Sequence, residues 1–300
     1  MDEPQCLWTI KEAANGHGLF AAADIKAGLL IIQEAPLLTV SRQEAQSASE
    51  HVGIPAKTGL LQAEAQNRLM DLYHNPSKLR EFAEFQGQPC PGAPHIDSAV
   101  ALAKFYTNAA TITAGDLDAG LFPTFCRMNH SCVPNTSYEY DDVSGTMQVY
   151  ASRDIRQGEE LTDAYTELAR PRARRAKELA NWGFRCECLV CEGPEAEEHE
   201  ARRRQVWRTS EILNLYDAHK KGTGKERPVF AEMPKTDVEA LRLAEESVAL
   251  LAIEGLVEEL GAAYGRCAKF ARAAGLLKLA DEYEEKEFEI LVLTTGECSP

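Results

Sequence analysis

Three cysteines lie within the six residues of the stretch CECLVC, as Cys186, Cys188 and Cys191. Structural zinc takes four tetrahedral ligands, and cysteine thiolates are among its preferred donors. The spacing therefore predicts a structural zinc site that takes three ligands from this turn and one from elsewhere, with Cys132 as the candidate. Three alternatives are less favoured: a redox pair, because no βαβ pattern adjoins it, a catalytic zinc site, because no nearby base is evident, and three unrelated thiols.

The stretch NHSCVPN places Asn129 and His130 within three residues of Cys132. Taken singly, Asn129 has the character of a turn residue and His130 that of a buried imidazole with satisfied partners. Tyr165, in the stretch GEELTDAY, has in the same way the character of a strand tyrosine whose hydroxyl binds a backbone carbonyl. Their joint order beside the cysteine cluster favours a functional site instead.

The chain has 300 residues and a formal net charge of −15 at pH 7. This charge argues against direct binding of nucleic acids; it is compatible with basic partners, or with a role in solubility alone. No apolar run approaches the roughly 18 residues that cross a bilayer, and the acidic N-terminus lacks the features of a secretion signal. We therefore expect an intracellular protein, in the cytoplasm, the nucleus or both, with no membrane partner.

The cysteine count is nine, which is odd, and the chain is long and is expected to be intracellular, so the cysteines do not predict a disulfide framework. Four of them belong to the predicted zinc site. The other five are expected to be ordinary thiols: Cys6, Cys90, Cys126, Cys267 and Cys298.

Hydrophobic patterning divides the chain into a β-rich part with a helical insert and a helical tail. β-Branched runs separated by turn signals predict strands over residues 7–40, and apolar spacings of three to four predict helices over about 41–85. A Pro/Gly loop at 87–98 precedes a helix that Asp97 or Ser98 is placed to cap. The basic run RPRARRAK is expected to be a solvated helix face, and guidance of an acidic partner is the alternative.

The stretch EGPEAEEHEARRR is interpreted as an acidic linker before the helical tail. Three amphipathic segments in the tail suggest antiparallel helical hairpins. Their small-residue spacing is loosely similar to that of tetratricopeptide repeats, and a plain helical bundle is the alternative.

Five motifs then follow one another in order: GHGLFAAADIKAG, EAPLLTV, NHSCVPN, GEELTDAY and FRCECLVC. In this order they resemble the SET-domain protein lysine methyltransferases, and the spacing is most similar to the SET-and-MYND branch. The resemblance covers about residues 7–192, and the tail resembles the shortened helical C-terminal domain of that branch. It implies an α+β SET fold of small β-sheets with a pseudoknot, S-adenosyl-L-methionine as methyl donor, and a protein lysine ε-amine as acceptor.

On this basis the chain is expected to consist of five segments. They are the N-terminal part of the SET domain (1–40), a helical insert (41–98), the C-terminal part of the SET domain (99–168), a post-SET zinc-binding segment (169–192) and a helical C-terminal domain (193–300).

The resemblance also implies which residues bind the methyl donor. Asn129 corresponds to a contact with its amino group, His130 to a contact near the adenine, Asn108 to a contact with its methionine end, and Phe184 to an aromatic ring stacked on the adenine. Glycines in the turn before them allow the backbone to approach the donor. The complete set is Asn15, Gly16, His17, Gly18, Asn108, Asn129, His130 and Phe184.

For catalysis and metal binding, the resemblance makes Tyr165 the catalytic tyrosine and Trp182 an aromatic residue that lines the lysine channel. A single structural zinc ion is implied at the four cysteines Cys132, Cys186, Cys188 and Cys191. A phenol with a pKa of about 10 is a poor general base, so Tyr165 is expected to position and stabilise the reacting groups.

Some positions depart from the family pattern. Ala164 stands where many SET domains have Asp, and His17 where many have Arg. No MYND finger is expected, because residues 41–98 contain only Cys90. The alternative function is therefore a catalytically inactive SET-type module that binds partners through its helical tail. For an active enzyme, histone and non-histone substrates both stay open.

Overall fold

The computed structural model describes residues 6–13, 16–45, 50–112, 115–221 and 233–296. Asn15 and Cys298 lie outside these residues. The strands are β1 (Trp8–Ala13), β2 (Gly16–Ala21), β3 (Leu30–Glu34), β4 (Leu38–Ser41), β5 (Pro89–Cys90), β6 (Ala93–Asp97), β7 (Ala110–Thr111), β8 (Leu117–Leu121), β9 (Asn129–His130), β10 (Thr136–Asp141), β11 (Thr146–Ala151) and β12 (Glu160–Asp163).

The helices are α1 (Arg42–Ala45), α2 (Glu50–Leu60), α3 (Ala63–Met70), α4 (Pro76–Glu81), α5 (Ser98–Asn108), α6 (Arg172–Leu179), α7 (Leu189–Glu192), α8 (Ala196–Lys220), α9 (Asp237–Glu254), α10 (Val257–Ala273) and α11 (Leu277–Thr295). Strands and helices occupy largely separate parts of the chain, which is the α+β class that the sequence predicts. In the described part of the chain, no helix combines the length and the apolar character that a membrane crossing requires.

The sheet that matters most for the site has the order β1-β2-β12-β9. Its strand β12 runs antiparallel to β2 and parallel to β9, with Thr162 opposite Asn129 and Asp163 opposite His130. Asn135 locks β12 in place, because its Nδ2 donates to the Glu160 carbonyl at 2.8 Å and its Oδ1 accepts from the Thr162 amide at 2.8 Å. This pairing brings the chain on either side of β10 and β11 together at one edge.

Helix α5 is almost entirely buried and carries Asn108 at its C-terminal end. As expected, Asp97 caps it: Asp97 Oδ1 accepts from the Ala99 and Val100 amides at 2.9 and 3.2 Å. The helix packs with β4, β8 and the helices of the insert around a second apolar core, which includes Leu69, Leu102 and Phe105. Residue 108 is thereby fixed at the boundary between this core and the sheet that contains β9.

Two interpretations of local pattern are wrong. Residues 87–98, interpreted as a loop, contain the β5–β6 hairpin. The stretch interpreted as an acidic linker forms the beginning of α8, which starts at Ala196 and is 25 residues long. The buried positions of α8 recur every three or four residues, but early members of this stripe are Glu200 and Arg203 rather than apolar residues. Charged side chains in the stripe therefore hid the helical pattern.

The last three helices pack consecutively, α9 on α10 and α10 on α11. Thr236 caps α9 by accepting from the Glu239 amide at 3.2 Å, and Gly255 ends the helix with a φ of +67°. Helix α11 lies against β10 and β11, and the Ser137 hydroxyl donates to the Thr294 carbonyl at 3.0 Å. The helical segment is thus packed on the β-rich part of the chain.

Candidate active site

A cavity of about 540 Å³ lies where β9, the C-terminal end of α5 and the chain before α7 meet. Most of the residues predicted for donor binding and catalysis line it: Gly16, His17, Asn108, Asn129, His130, Tyr165, Trp182 and Phe184. Gly18 adjoins the cavity through Asn129, and Cys132 adjoins it through His130. The fold therefore gathers residues from five separate parts of the sequence around one cavity.

Tyr165 lies among aromatic side chains, with its ring centroid 5.0 Å from that of Trp182 and 6.2 Å from that of Phe184. Its hydroxyl donates to the Met128 carbonyl at 2.6 Å. An ordinary strand tyrosine would make the same hydrogen bond. Here the phenol oxygen also lines a cavity, and because its proton is already donated, its lone pairs can accept hydrogen bonds from a bound molecule. Burial raises the pKa of Tyr165 above its usual 10, so the hydroxyl stays protonated at neutral pH.

His130 connects Tyr165 to the cysteine cluster. Its Nδ1 accepts from the Tyr165 backbone amide at 3.1 Å, and its Nε2 lies 3.3 Å from Cys132 Sγ. Because Nδ1 is an acceptor, the proton of the neutral imidazole must be on Nε2, where it can be donated to a thiolate. Burial lowers the pKa of His130 to about 4, which keeps the ring neutral. Both ring nitrogens are thus engaged, and the backbone of His130 is left to contact a bound molecule.

Asn129 is held by a carboxylate. Its Nδ2 donates to Glu160 Oε1 at 2.7 Å and lies 3.4 Å from the His17 carbonyl oxygen. A Cβ atom on Gly18 would lie 2.4 Å from Glu160 Oε1 and 2.9 Å from Asn129 Nδ2. A side chain at position 18 would therefore collide with the Glu160–Asn129 pair, which explains the glycine. The sequence suggests a different reason, namely that the glycine lets the backbone approach the methyl donor closely.

If the cavity binds the methyl donor that the sequence predicts, we expect Gly18→Ala to raise its dissociation constant about tenfold or more, because the added methyl group displaces Glu160 and, with it, Asn129 of the cavity wall. Gly53→Ala is the matched control, since the nearest described atom that a Cβ atom there would approach is Glu44 Oε1 at 3.9 Å. Calorimetric titration of both variants checks the prediction. Donor affinity in Gly18→Ala equal to that in Gly53→Ala would contradict it.

The side-chain oxygen of Asn108 is available to accept a hydrogen bond at the cavity. Its Nδ2 donates to the Tyr73 and Lys104 carbonyls, both at 2.7 Å, so both amide protons are used and the side-chain oxygen is the free acceptor. The Cys126 thiol donates to the Asn108 carbonyl at 3.0 Å and lines the same cavity. Cys126, expected to be an ordinary thiol, is thus part of the cavity wall.

Asn75 holds the segment that carries Trp182 and Phe184. Its Nδ2 donates to the Asn181 carbonyl at 2.8 Å and to the Ala180 carbonyl at 3.3 Å. Between the two aromatic residues, Gly183 has a φ of +83°, and a Cβ atom there would lie 2.9 Å from Asn75 Oδ1. Sequence reasoning missed Asn75, and the pattern around it signals only a helix cap.

The four predicted ligand cysteines come together, with all their sulfurs within 4.8 Å of one another. Cys132 Sγ lies 3.9 Å from Cys186 Sγ and 3.6 Å from Cys191 Sγ. Four sulfurs placed tetrahedrally at about 2.3 Å from a zinc ion would be separated by roughly 3.8 Å. The arrangement therefore fits a tetrahedral zinc site.

A buried cation next to the cysteines supports the same assignment. Arg175 is 1% exposed, its Nη2 lies 3.7 Å from Cys191 Sγ, and its Nε has no hydrogen-bond partner among the described residues. A buried guanidinium needs a nearby negative charge, and a zinc ion with four thiolates carries a net charge of −2. The expectation that the basic run is a solvated face is thus wrong for Arg175.

Other cavity-lining residues lay outside the sequence prediction. Asp71 and Arg127 form an ion pair at the cavity, and Leu72, Tyr73 and Thr107 complete its wall. Asp71, Leu72 and Tyr73 come from the insert and Thr107 from α5, so local sequence patterns did not connect these four with the motifs. Arg127 lies two residues before Asn129, so its place beside the NHSCVPN motif was visible in the sequence.

A family model described as "SET domain" matches residues 16–166, which is half of the chain. The chain belongs to the SET-domain family. The matched range begins at β2 and ends just after Tyr165, so it includes most of the cavity residues, whereas the cysteine turn and the helical segment lie beyond it.

Curated relatives share the SET-domain similarity. "Histone-lysine N-methyltransferase set5" of Schizosaccharomyces pombe is 30% identical over 68% of this chain and 54% of the relative. "Histone-lysine N-methyltransferase SET5" of Meyerozyma guilliermondii is 38% identical over 37% of this chain and 23% of the relative. "Histone-lysine N-methyltransferase SMYD3" of Homo sapiens is 34% identical over 33% and 24% respectively. The chain thus spans about half, or less, of the length of these relatives.

Proposed function

We propose that this SET-domain protein is an S-adenosyl-L-methionine-dependent protein-lysine N-methyltransferase that acts on a histone or a non-histone protein. The observation that carries the proposal is the placement of Tyr165 at an aromatic wall of the cavity whose other walls contain His17, Asn108 and Asn129. A phenol oxygen with its proton already donated can accept from an amine or from a polarised methyl group. Curated relatives named as histone-lysine methyltransferases support the same reaction class.

The donor side of the cavity consists of polar groups that are already oriented. Asn108 has its side-chain oxygen free, which suits the ammonium group of an amino acid. Asn129 is fixed by Glu160, and His130 offers its backbone, since both of its ring nitrogens are used. Phe184 supplies an aromatic face for a base. The bound donor supplies an electrophilic methyl group on a positively charged sulfur.

The acceptor side consists of Tyr165 and Trp182, whose rings lie 5.0 Å apart. A lysine ε-ammonium has a pKa of about 10.4 in water and must lose a proton before it can attack. Apolar aromatic walls lower that pKa by desolvation, and a neighbouring positive charge lowers it further. The aromatic walls and the Tyr165 hydroxyl oxygen then align the amine for an in-line displacement.

We propose that the cysteine cluster holds one structural zinc ion through Cys132, Cys186, Cys188 and Cys191. The ion would join the turn that carries the donor residues to the segment that carries the aromatic residues. We further propose that the helical C-terminal segment offers a surface to a protein partner, and that the protein acts in the nucleus, the cytoplasm or both.

Calorimetric titration with S-adenosyl-L-methionine, followed by a radiolabelled-methyl assay on a protein extract, tests the proposed function. We expect one binding site per chain and label transferred to protein. If the zinc-loaded protein does not bind the donor, the enzyme function is wrong and the non-catalytic module becomes the better interpretation.

A further inference from the structure

Arg203 of α8 is a completely buried cation whose guanidinium joins three segments of the chain. Its Nε donates to Glu254 Oε2 at 2.7 Å, at the end of α9. Its Nη1 donates to the Leu168 carbonyl at 3.0 Å, and its Nη2 donates to the Cys132 carbonyl at 2.9 Å. One side chain of the helical segment therefore binds two backbone carbonyls of the β-rich part.

Both carbonyls belong to chain segments that form the cavity. Cys132 lies two residues after His130 in the β9 turn, residues 129–132, and is itself a predicted zinc ligand. Leu168 stands three residues after Tyr165. The guanidinium thus connects two segments. One carries the donor-binding residues Asn129 and His130, and the other carries Tyr165.

The surroundings make these hydrogen bonds strong. Leu168 packs with Val206, Leu251 and Leu256 in a buried apolar cluster around the contact. In such a low-dielectric environment a satisfied hydrogen bond gains strength, and an unsatisfied carbonyl is correspondingly costly. Burial alone would raise the pKa of Glu254, but hydrogen bonds from Arg203 and its neighbours outweigh burial and lower it, so Glu254 keeps its charge.

We propose that Arg203 is a positioning residue through which the helical C-terminal segment holds the methyl-donor site in its working geometry. The inference rests on the proposed function for the identity of the bound molecule. Its structural basis is that one planar guanidinium can bind Glu254 and two carbonyls at once, which an ammonium group with a single charged centre cannot do in the same geometry. The helical segment is then a component of the active site.

The test compares Arg203→Lys with Arg202→Lys. Arg202 is the adjacent residue and also donates to Glu254, through Nε at 2.5 Å, but its other contact is with His199 rather than with a cavity segment. Both variants keep the positive charge and make the same chemical change next to the same carboxylate. Apart from the partial exposure of the Arg202 side chain, the two variants differ in the Cys132 and Leu168 carbonyls, which Arg203 contacts and Arg202 does not.

We expect Arg203→Lys to raise the KM for S-adenosyl-L-methionine about tenfold or more, because the β9 turn loses its anchor. The concentration of extract protein that gives half-maximal labelling should rise less than the donor KM, because the acceptor side loses only the anchor at the Leu168 carbonyl, three residues from Tyr165, whereas general loosening of the fold would raise both equally. Zinc loss to a chelator should also become faster. Arg202→Lys should stay close to the wild-type protein in all three measurements.

The two proposals fail in different ways. Absence of donor binding by the wild-type protein would contradict the proposed function, and zinc loss from the two variants would still test the role of Arg203. Equal donor KM values and equal zinc loss in Arg203→Lys and Arg202→Lys would overturn the inference. So would failure of Arg203→Lys to fold when Arg202→Lys folds, because Arg203 would then be a general stability element.

Discussion

Tyr165→Phe should lower the rate of lysine methylation by roughly a hundredfold or more and leave the affinity for S-adenosyl-L-methionine within about threefold of the wild-type value. The substitution removes the oxygen that we propose accepts from the reacting groups, and it keeps the ring that packs against Trp182 and Phe184. It also removes the hydrogen bond to the Met128 carbonyl, which costs about 1 kcal/mol of stability. Single-turnover methylation and calorimetry together separate the two effects.

Tyr216→Phe is the matched control for this prediction. Tyr216 is a buried tyrosine of α8 whose hydroxyl donates to Asp237 Oδ1 at 3.0 Å, so the substitution removes one hydrogen-bonded phenol oxygen far from the cavity. It should leave the rate of methylation unchanged. Normal turnover by Tyr165→Phe would show that its hydroxyl has no part in the reaction.

The pH dependence distinguishes positioning from base catalysis. Because burial raises the pKa of Tyr165 above 10, its hydroxyl stays neutral across the range in which the protein can be assayed. The rate should therefore rise with pH only as the acceptor lysine loses its proton. A further titration step that is present in the wild-type protein and absent from Tyr165→Phe would indicate that the phenol acts as a base.

Much of this site can be predicted from the sequence, because its residues lie in short motifs that are continuous in the chain. The spacing of Cys186, Cys188 and Cys191 limits how their thiols can be used, and Asp97 has a cap signature that the structure confirms. Three ligands in one turn predict a fourth from elsewhere in the chain, and the resemblance to SET domains assigns that place to Cys132. The structure brings that sulfur to the other three, although binding of a metal stays a prediction.

The parts of the site that could not be predicted from the sequence depend on contacts between distant segments. Asn75 binds the backbone carbonyls of residues 180 and 181, and Arg203 binds those of residues 132 and 168. Every residue has a backbone carbonyl, so the residue type at the accepting position does not indicate that a hydrogen bond forms there. At the donating position, a buried arginine looks like a surface arginine until the fold removes it from water.

Arg203 and Arg175 also change how the acidic composition of the chain is interpreted. Two completely buried guanidinium groups flank the Cys132 turn, one near the cysteine sulfurs and one on the Cys132 carbonyl. Buried cations of this kind need fixed negative partners, which Glu254 supplies for Arg203. For Arg175, the only negative charge that the proposed site offers in contact is that of the thiolates. The stability of this region should therefore depend on the metal.

Cys132→Ser should accordingly release zinc and weaken donor binding together. Cys132 is the only ligand contributed by the β9 turn, whereas the other three belong to the single stretch 186–191. Without this sulfur the metal no longer joins that stretch to the turn, and a hydroxyl on a shorter side chain replaces the thiolate that accepts the His130 Nε2 proton. Phe184 and the backbone of His130 then lose their fixed positions. We expect the zinc content to fall well below one per chain and the donor dissociation constant to rise about ten- to a hundredfold.

Cys90→Ser is the control, because Cys90 is a thiol as completely buried as that of Cys132 but lies in the insert, where it contacts Ser98. It should keep its zinc and its donor affinity. Metal analysis, calorimetry and thermal unfolding of both variants separate loss of the ion from general destabilisation. Treatment of the wild-type protein with a chelator should reproduce the Cys132→Ser result, since in both cases the bridge between the donor turn and the aromatic segment is removed. Full zinc occupancy in Cys132→Ser, or loss of zinc without loss of donor affinity, would break the proposed connection between the two sites.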